Sequence, residues 1–89
     1  MGTVLRKAAA GTVESSDVYV TLEPSDCGTV IEIDSVVQKQ FGGQIREAVS
    51  EVLAEQGITD ARVTVVDRGA LDCVIRARVE AAILRAKGE

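Results

Sequence analysis

Thr29-Val30-Ile31-Glu32-Ile33-Asp34-Ser35-Val36-Val37-Gln38-Lys39-Gln40-Phe41 contains the change of period on which the fold turns. Up to Asp34 the stretch alternates, with Ile31 and Ile33 on one side and Val30 and Glu32 on the other, as a half-buried strand does. Beyond it Val37, Phe41, Ile45, Ala48, Val49 and Val52 recur every three or four residues and draw one apolar stripe along a helix. Ser35 with Gln38 three residues on has the form of a capping box: the hydroxyl accepts from an early helical N–H while the Gln reaches back. Gly57 supplies a C-terminal stop. Gly42 and Gly43 lie inside this helix, where each costs roughly 1 kcal/mol relative to Ala. A close helix-to-sheet approach, a kink or a later helix start would each account for them.

On the N-terminal side, residues 17–23 alternate, with Val18, Val20 and Leu22 on one face and Tyr19 and Thr21 on the other, and the run stops at Pro24. Ser25, Asp26, Cys27 and Gly28 supply turn chemistry, so this strand and residues 29–34 are expected to pair as an antiparallel hairpin. Residues 1–10, with Arg6 and Lys7 beside a short Ala run, are expected to be loosely ordered. On the C-terminal side, residues 61–67 read as a third strand with Val63 and Val65 inward, and Arg68-Gly69 turns the chain. A last helix over 70–87 buries Leu71, Val74, Ile75, Val79, Ala82, Ile83 and Ala86, carries an Asp72-Arg76-Glu80 ladder outside, and is capped by Gly88. The expected fold is a single α+β domain over residues 1–89. It is a small two-layer sandwich in β-β-α-β-α order, with an antiparallel hairpin and two helices on one face of the sheet.

Composition narrows the function. Only Tyr19 and Phe41 are aromatic, so the core is aliphatic and there is no base-stacking platform of the kind a nucleic-acid binder uses. A formal charge of −4 argues against the basic footprint of a nucleic-acid binder. The chain has no His, which removes the commonest general base, the Ser-His-Asp and Cys-His arrangements and the commonest zinc ligand. A self-contained hydrolase is therefore not expected. Cys27 and Cys73 form neither a CxxC pair nor a disulfide framework and are too few to close a zinc site, so free thiols are expected. Cys73 lies beside the apolar stripe and reads as a small, partly buried hydrophobe. No apolar run approaches the roughly 20 residues that cross a bilayer, and residues 1–10 are too short and too weakly apolar for a signal peptide. The expected location is the cytoplasm, with neither membrane nor nucleic acid as a partner.

One small polar segment, Ala10-Gly11-Thr12-Val13-Glu14-Ser15-Ser16-Asp17, precedes the first strand of the alternating pattern. By residue type alone it is an ordinary turn, and no glycine in the chain stands in a Walker-type phosphate loop. In register, however, the segment resembles the N-terminal signature of the citrate lyase acyl carrier protein (gamma subunit) family. Asp34-Ser35-Val36-Val37-Gln38-Lys39-Gln40-Phe41-Gly42 resembles the run into that family's first long helix. Asp67-Arg68-Gly69-Ala70-Leu71-Asp72-Cys73-Val74-Ile75-Arg76-Ala77-Arg78-Val79-Glu80-Ala81 resembles its C-terminal block. The three blocks span most of the chain in order.

The resemblance implies that Ser15 carries 2'-(5''-phosphoribosyl)-3'-dephospho-CoA through a phosphodiester. The arm's thiol would hold acetyl and citryl groups while an alpha subunit (acyl transferase) and a beta subunit (citryl lyase) turn citrate into oxaloacetate and acetate. A prosthetic-group transferase would load the serine. Ser16 stands where glycine is usual in the family and adds a neighbouring hydroxyl as a competitor. Asp17 has two readings, a turn residue or a residue that positions the serine for the transferase. Arg76 and Arg78 read as a solvated helix face or as partner contacts. Asp34-Ser35-Val36 also resembles the Asp-Ser-Leu motif of phosphopantetheine carriers, but those are four-helix bundles, whereas Ser35 here follows a strand. Carriers of malonate decarboxylase and citramalate lyase are the nearer alternatives. The Gly69-Ala70-Leu71-Asp72-Cys73 and Ile75-Arg76-Ala77-Arg78 blocks favour citrate lyase over malonate decarboxylase. An unmodified α+β interaction module is the alternative from another class.

Overall fold

Burial alternates along β2 (Val18–Pro24): Val18, Val20 and Leu22 are sealed from solvent while Tyr19 and Thr21 between them are half-buried. The computed structural model describes residues 6–35 and 38–88. In β4 (Ala61–Asp67) the pattern is stricter still, with Ala61, Val63, Val65 and Asp67 all buried. β3 (Val30–Ser35) offers only the half-buried Ile31 and Ile33 to the same side. The strand with the most completely buried face takes a central place, and the sheet order is β1-β2-β4-β3, where β1 is Ala8–Gly11. α1 (Gln38–Glu55) and α2 (Asp72–Ala86) cover one face. The expected two-layer α+β sandwich is therefore present.

Two details of the expected order are corrected. The strands at 17–23 and 29–34 do not form a hairpin, because β4 lies between them, antiparallel to β2 and parallel to β3. The 18-residue α1 carries the chain back across the sheet, so β3 and β4 emerge parallel, as a crossover through a helix requires. The antiparallel hairpin is instead β1 with β2, in which Ala8 faces Leu22 and Ala10 faces Val20. Residues 8–10, expected to be loose, are thus a strand. An all-alanine run shows no alternation to read, but its short side chains let α2 lie close over β1, and Ala10 is buried beneath it.

The helices end as their glycines predict. Ile58 N–H reaches Leu53 C=O and Gly57 N–H reaches Ala54 C=O, with Gly57 at φ +70°, which is a Schellman closure with Leu53 and Ile58 both in the core. Gly88, at φ +84°, closes α2 onto Arg85 C=O. α2 starts later than expected: Leu71 is its N-cap in extended conformation and stands 71% exposed, outside the stripe that buries Ile75, Val79, Ala82, Ile83 and Ala86. Arg76 pairs with Asp72 as expected, at 2.7 Å, but its other arm turns to Glu51 of α1 instead of Glu80. An arginine from each helix also reaches an edge strand: Arg46 donates to Ile31 C=O of β3 and Arg85 to Ala9 C=O of β1. Arg6 N–H donates to Ala86 C=O, which brings the two ends of the described chain together.

Gly43 lies in α1 with open space where a Cβ would stand, so close helix-to-sheet contact does not explain it. Gly43→Ala is expected to stabilise the protein by about 0.5–1 kcal/mol. Gly57→Ala, forced into the left-handed region, is expected to cost about 1 kcal/mol or more. Urea unfolding midpoints of the two variants should shift in opposite directions.

Candidate functional site

The link from β1 to β2 begins at a glycine that no other residue can replace. Gly11 has φ +93°, and a Cβ built there would stand 1.8 Å from Val18 C=O. Thr12 N–H donates to that same carbonyl at 3.2 Å, closing the neck of the loop. Asp17 N–H donates back to Glu14 C=O at 3.1 Å, so Glu14 to Asp17 form a β-turn with Ser15 and Ser16 at its corners. Ser16 is at φ +63°, the only non-glycine in the left-handed region among the described residues. A positive φ at the third position of a turn favours glycine.

A second pattern fixes the same residue. Ser16 N–H donates to Arg68 C=O at 2.8 Å and Arg68 N–H donates to Asp17 C=O at 2.9 Å, so two residues of one strand extension oppose one of the other. This is a β-bulge whose first residue is left-handed, a position that ordinarily takes glycine. The glycine usual at this place in the resembling family therefore has a backbone reason. The bulge turns Ser15 outward, and Ser15 is exposed.

Asp17 holds the turn. Its Oδ2 accepts from Thr12 Oγ1 at 2.7 Å and from Arg78 Nη2 at 3.1 Å, and its Oδ1 accepts from Val18 N–H at 2.7 Å and from Arg78 Nε at 3.3 Å. Thr12 Oγ1 in turn accepts from Glu14 N–H at 3.2 Å. The Thr12 hydroxyl first, then the Val18 N–H and the Arg78 guanidinium, hold the Asp17 carboxyl below its ordinary value of 3.8, against some opposing desolvation. Arg78, read as a solvated helix residue or a partner contact, spends Nε and Nη2 on Asp17 while its side chain stays 41% exposed. It reaches from α2 across to a loop 61 residues away in sequence. Nothing local in the sequence marks that pairing.

The remaining candidates lie elsewhere. Ser35 closes β3, and its Oγ donates to Asp67 Oδ2 at 2.7 Å, while Asp67, 1% exposed, also accepts from Ala70 N–H at 2.9 Å. The capping-box reading of Ser35 involves Val36 and Val37 and lies outside the described residues. Cys73 is exposed, not partly buried, because it lies in the first turn of α2 on its outer side; Cys27 is exposed too, and both are free thiols. Among the described residues no group of three or more His, Cys, Asp or Glu side chains could hold a metal ion. Among the described residues no helix is long and apolar enough to cross a membrane.

Chemically, the arrangement offers the exposed hydroxyls of Ser15 and Ser16 on a braced turn, with no base hydrogen-bonded to Ser15 among the described residues. Known proteins match it in sequence and in shape. The acyl carrier family described as the malonate decarboxylase delta subunit matches residues 5–86. The citrate lyase acyl carrier protein of Haemophilus influenzae (strain PittGG) is 57% identical over 86 residues, covering 97% of this chain and 90% of that protein. That of Pectobacterium carotovorum (strain PC1) is 49% identical over 93% of this chain and 86% of its own length. Among solved structures, a chain of a Pseudomonas malonate decarboxylase hetero-tetramer in complex with malonate has a TM-score of 0.78 at 22% identity. The match covers 93% of this chain and 86% of that one, and it is a likeness of fold.

Two outcomes follow from the turn. Ser16→Gly relieves the left-handed serine and is expected to raise stability by up to about 1 kcal/mol, read from the denaturation midpoint. Asp17→Asn should lower stability at neutral pH. Because the folded carboxyl is held below 3.8, its contribution is fully present above that value and is lost as pH falls through the depressed one. The gap between wild type and Asp17→Asn should therefore narrow below pH 3.8 in urea titrations; a gap that stays constant would refute the assignment.

Proposed function

The chain belongs to the citrate lyase acyl carrier protein family, and from that premise we propose that Ser15 is the residue on which this non-catalytic carrier subunit takes its prosthetic group. The observation that carries the reading is the exposed Ser15 at the corner of a turn braced by Asp17, Thr12 and Arg78. Among the described residues the Ser15 hydroxyl makes no hydrogen bond, so its oxygen is available for a phosphodiester. Among the described residues no base is hydrogen-bonded to it, which suits a residue that a separate transferase loads. The donor set fits a covalent anchor and would not fit a non-covalent phosphate cradle, which needs a row of convergent N–H groups.

The group in question is phosphoribosyl-dephospho-CoA. When attached it supplies a thiol that carries the acyl group between catalysts. This chain's own share is mechanical. The sandwich fixes the anchor, the bulge aims Ser15 away from the body, and Asp17 keeps the loop from folding back over it. Tethering then replaces two encounters in solution by encounters at an effective concentration that reaches the millimolar range when the arm spans the sites. The expected partners are an alpha subunit acting as acyl transferase, a beta subunit acting as citryl lyase, and the loading transferase, all in the cytoplasm. Identity of 57% to citrate lyase carriers, against 22% to the malonate decarboxylase chain, favours citrate over malonate chemistry.

Intact mass and peptide fragmentation of the protein, purified from its host or incubated with the loading enzyme, test the assignment. The expected result is a phosphoribosyl-dephospho-CoA adduct on Ser15 that disappears in Ser15→Ala. An adduct on Ser16 or Ser35, or an unmodified chain after incubation, would overturn it. Ser35→Ala removes the hydroxyl from Asp67, should cost about 1 kcal/mol or more of stability, and should leave loading intact.

A further inference from the structure

Tyr19 lies on the sheet face that the helices leave open, paired in register with Gly11 on one side and Val66 on the other. Because Gly11 has no side chain, nothing on β1 stands beside the Tyr19 ring, and an open cleft of ≈ 370 Å³ lies there, lined by Gly11, Thr12, Val13, Glu14 and Tyr19. Val13 is 59% exposed at its rim and serves no core. The Glu14 side chain is exposed and has no ion-pair partner among the described residues. The cleft ends at the residue that precedes Ser15 in the chain.

We propose that this cleft is the resting dock for the purine base of the group esterified to Ser15. The inference rests on the reading of Ser15 as the anchor. One phosphoribosyl unit separates the serine oxygen from the adenosine, so the base is tethered beside the cleft and cannot diffuse away from it. A planar base stacks on a tyrosine ring and packs its edge against Val13, while the Glu14 carboxylate accepts from the exocyclic amino group. A weak intrinsic affinity is enough: with a dissociation constant in the millimolar range, an effective concentration of similar size fills the cleft roughly half of the time. The docked base holds the root of the arm against the sheet and leaves the thiol end free.

The chain has one Tyr and no Trp, so its intrinsic emission comes from Tyr19 alone. Loaded and unloaded full-length carrier, with loading established by mass, should differ by a roughly twofold loss of Tyr19 emission. Nuclear Overhauser contacts should connect the base protons to the Tyr19 ring. Val13→Ser should return the emission of loaded carrier toward the unloaded value without moving the unloaded protein's unfolding transition. Loaded carrier with unchanged emission and no such contacts overturns the dock while the Ser15 reading stands. A chain with no adduct on Ser15 overturns both.

Discussion

The Asp17 carboxylate binds together parts of the chain that would otherwise only be neighbours. It takes a hydroxyl from the start of its own loop, an N–H from the first residue of β2, and the Nε and Nη2 of a guanidinium from α2. With 16% of its side chain exposed, it keeps its charge by accepting on both oxygens. The hairpin, the bulge and the second helix are thus held to one another at the point where Ser15 emerges. Asp67 does related work a strand further in. Sealed from water, it accepts from the Ser35 hydroxyl and the Ala70 N–H, and so ties the end of β3 to the turn that leads into α2. A buried carboxylate without such donors would carry a penalty of several kcal/mol.

Much of this was legible in the residues. Alternation placed the strands around Val20, Ile33 and Val65, and the three-four spacing placed both helices, because each of these segments buries one face and leaves the other wet. Gly57 and Gly88 were readable because chain reversal at a helix end needs the left-handed region. What stayed hidden was non-local or carried by residues without pattern. An alanine run looks the same in a strand as in a loop, so β1 was missed. Strand order depends on comparing how completely each strand is buried, which no single window reveals. Leu71 reads as a stripe residue only if the helix begins at residue 70, two before its true start.

The site divides in the same way. Ser15 stands out only through its register with a known signature, since by chemistry a serine in a polar turn is unremarkable. Ser16 was noticed as an oddity, and the backbone supplies the reason: the bulge opposite Arg68 asks for a left-handed residue, and a serine there is tolerated at a cost. The Asp17–Arg78 pair spans 61 positions and could only be found in three dimensions. Cys73, which invites an acyl-transfer role in a protein of this kind, is an exposed thiol in the first turn of α2, away from the Ser15 turn.

The contact between Arg6 and Ala86 has a practical corollary. It places the two ends of the described chain side by side, and the five residue steps from Arg6 to Gly11 set them about 16 Å from the neck of the Ser15 loop. The molecule has a handle at one end and the Ser15 turn at the other. Attachment to a bead, a sensor chip or another polypeptide through either end would present every copy with the same orientation, serine outward. A short bridge between the ends would also close the backbone into a ring, free to be reopened at Cys27 or another exposed loop without disturbing the tip.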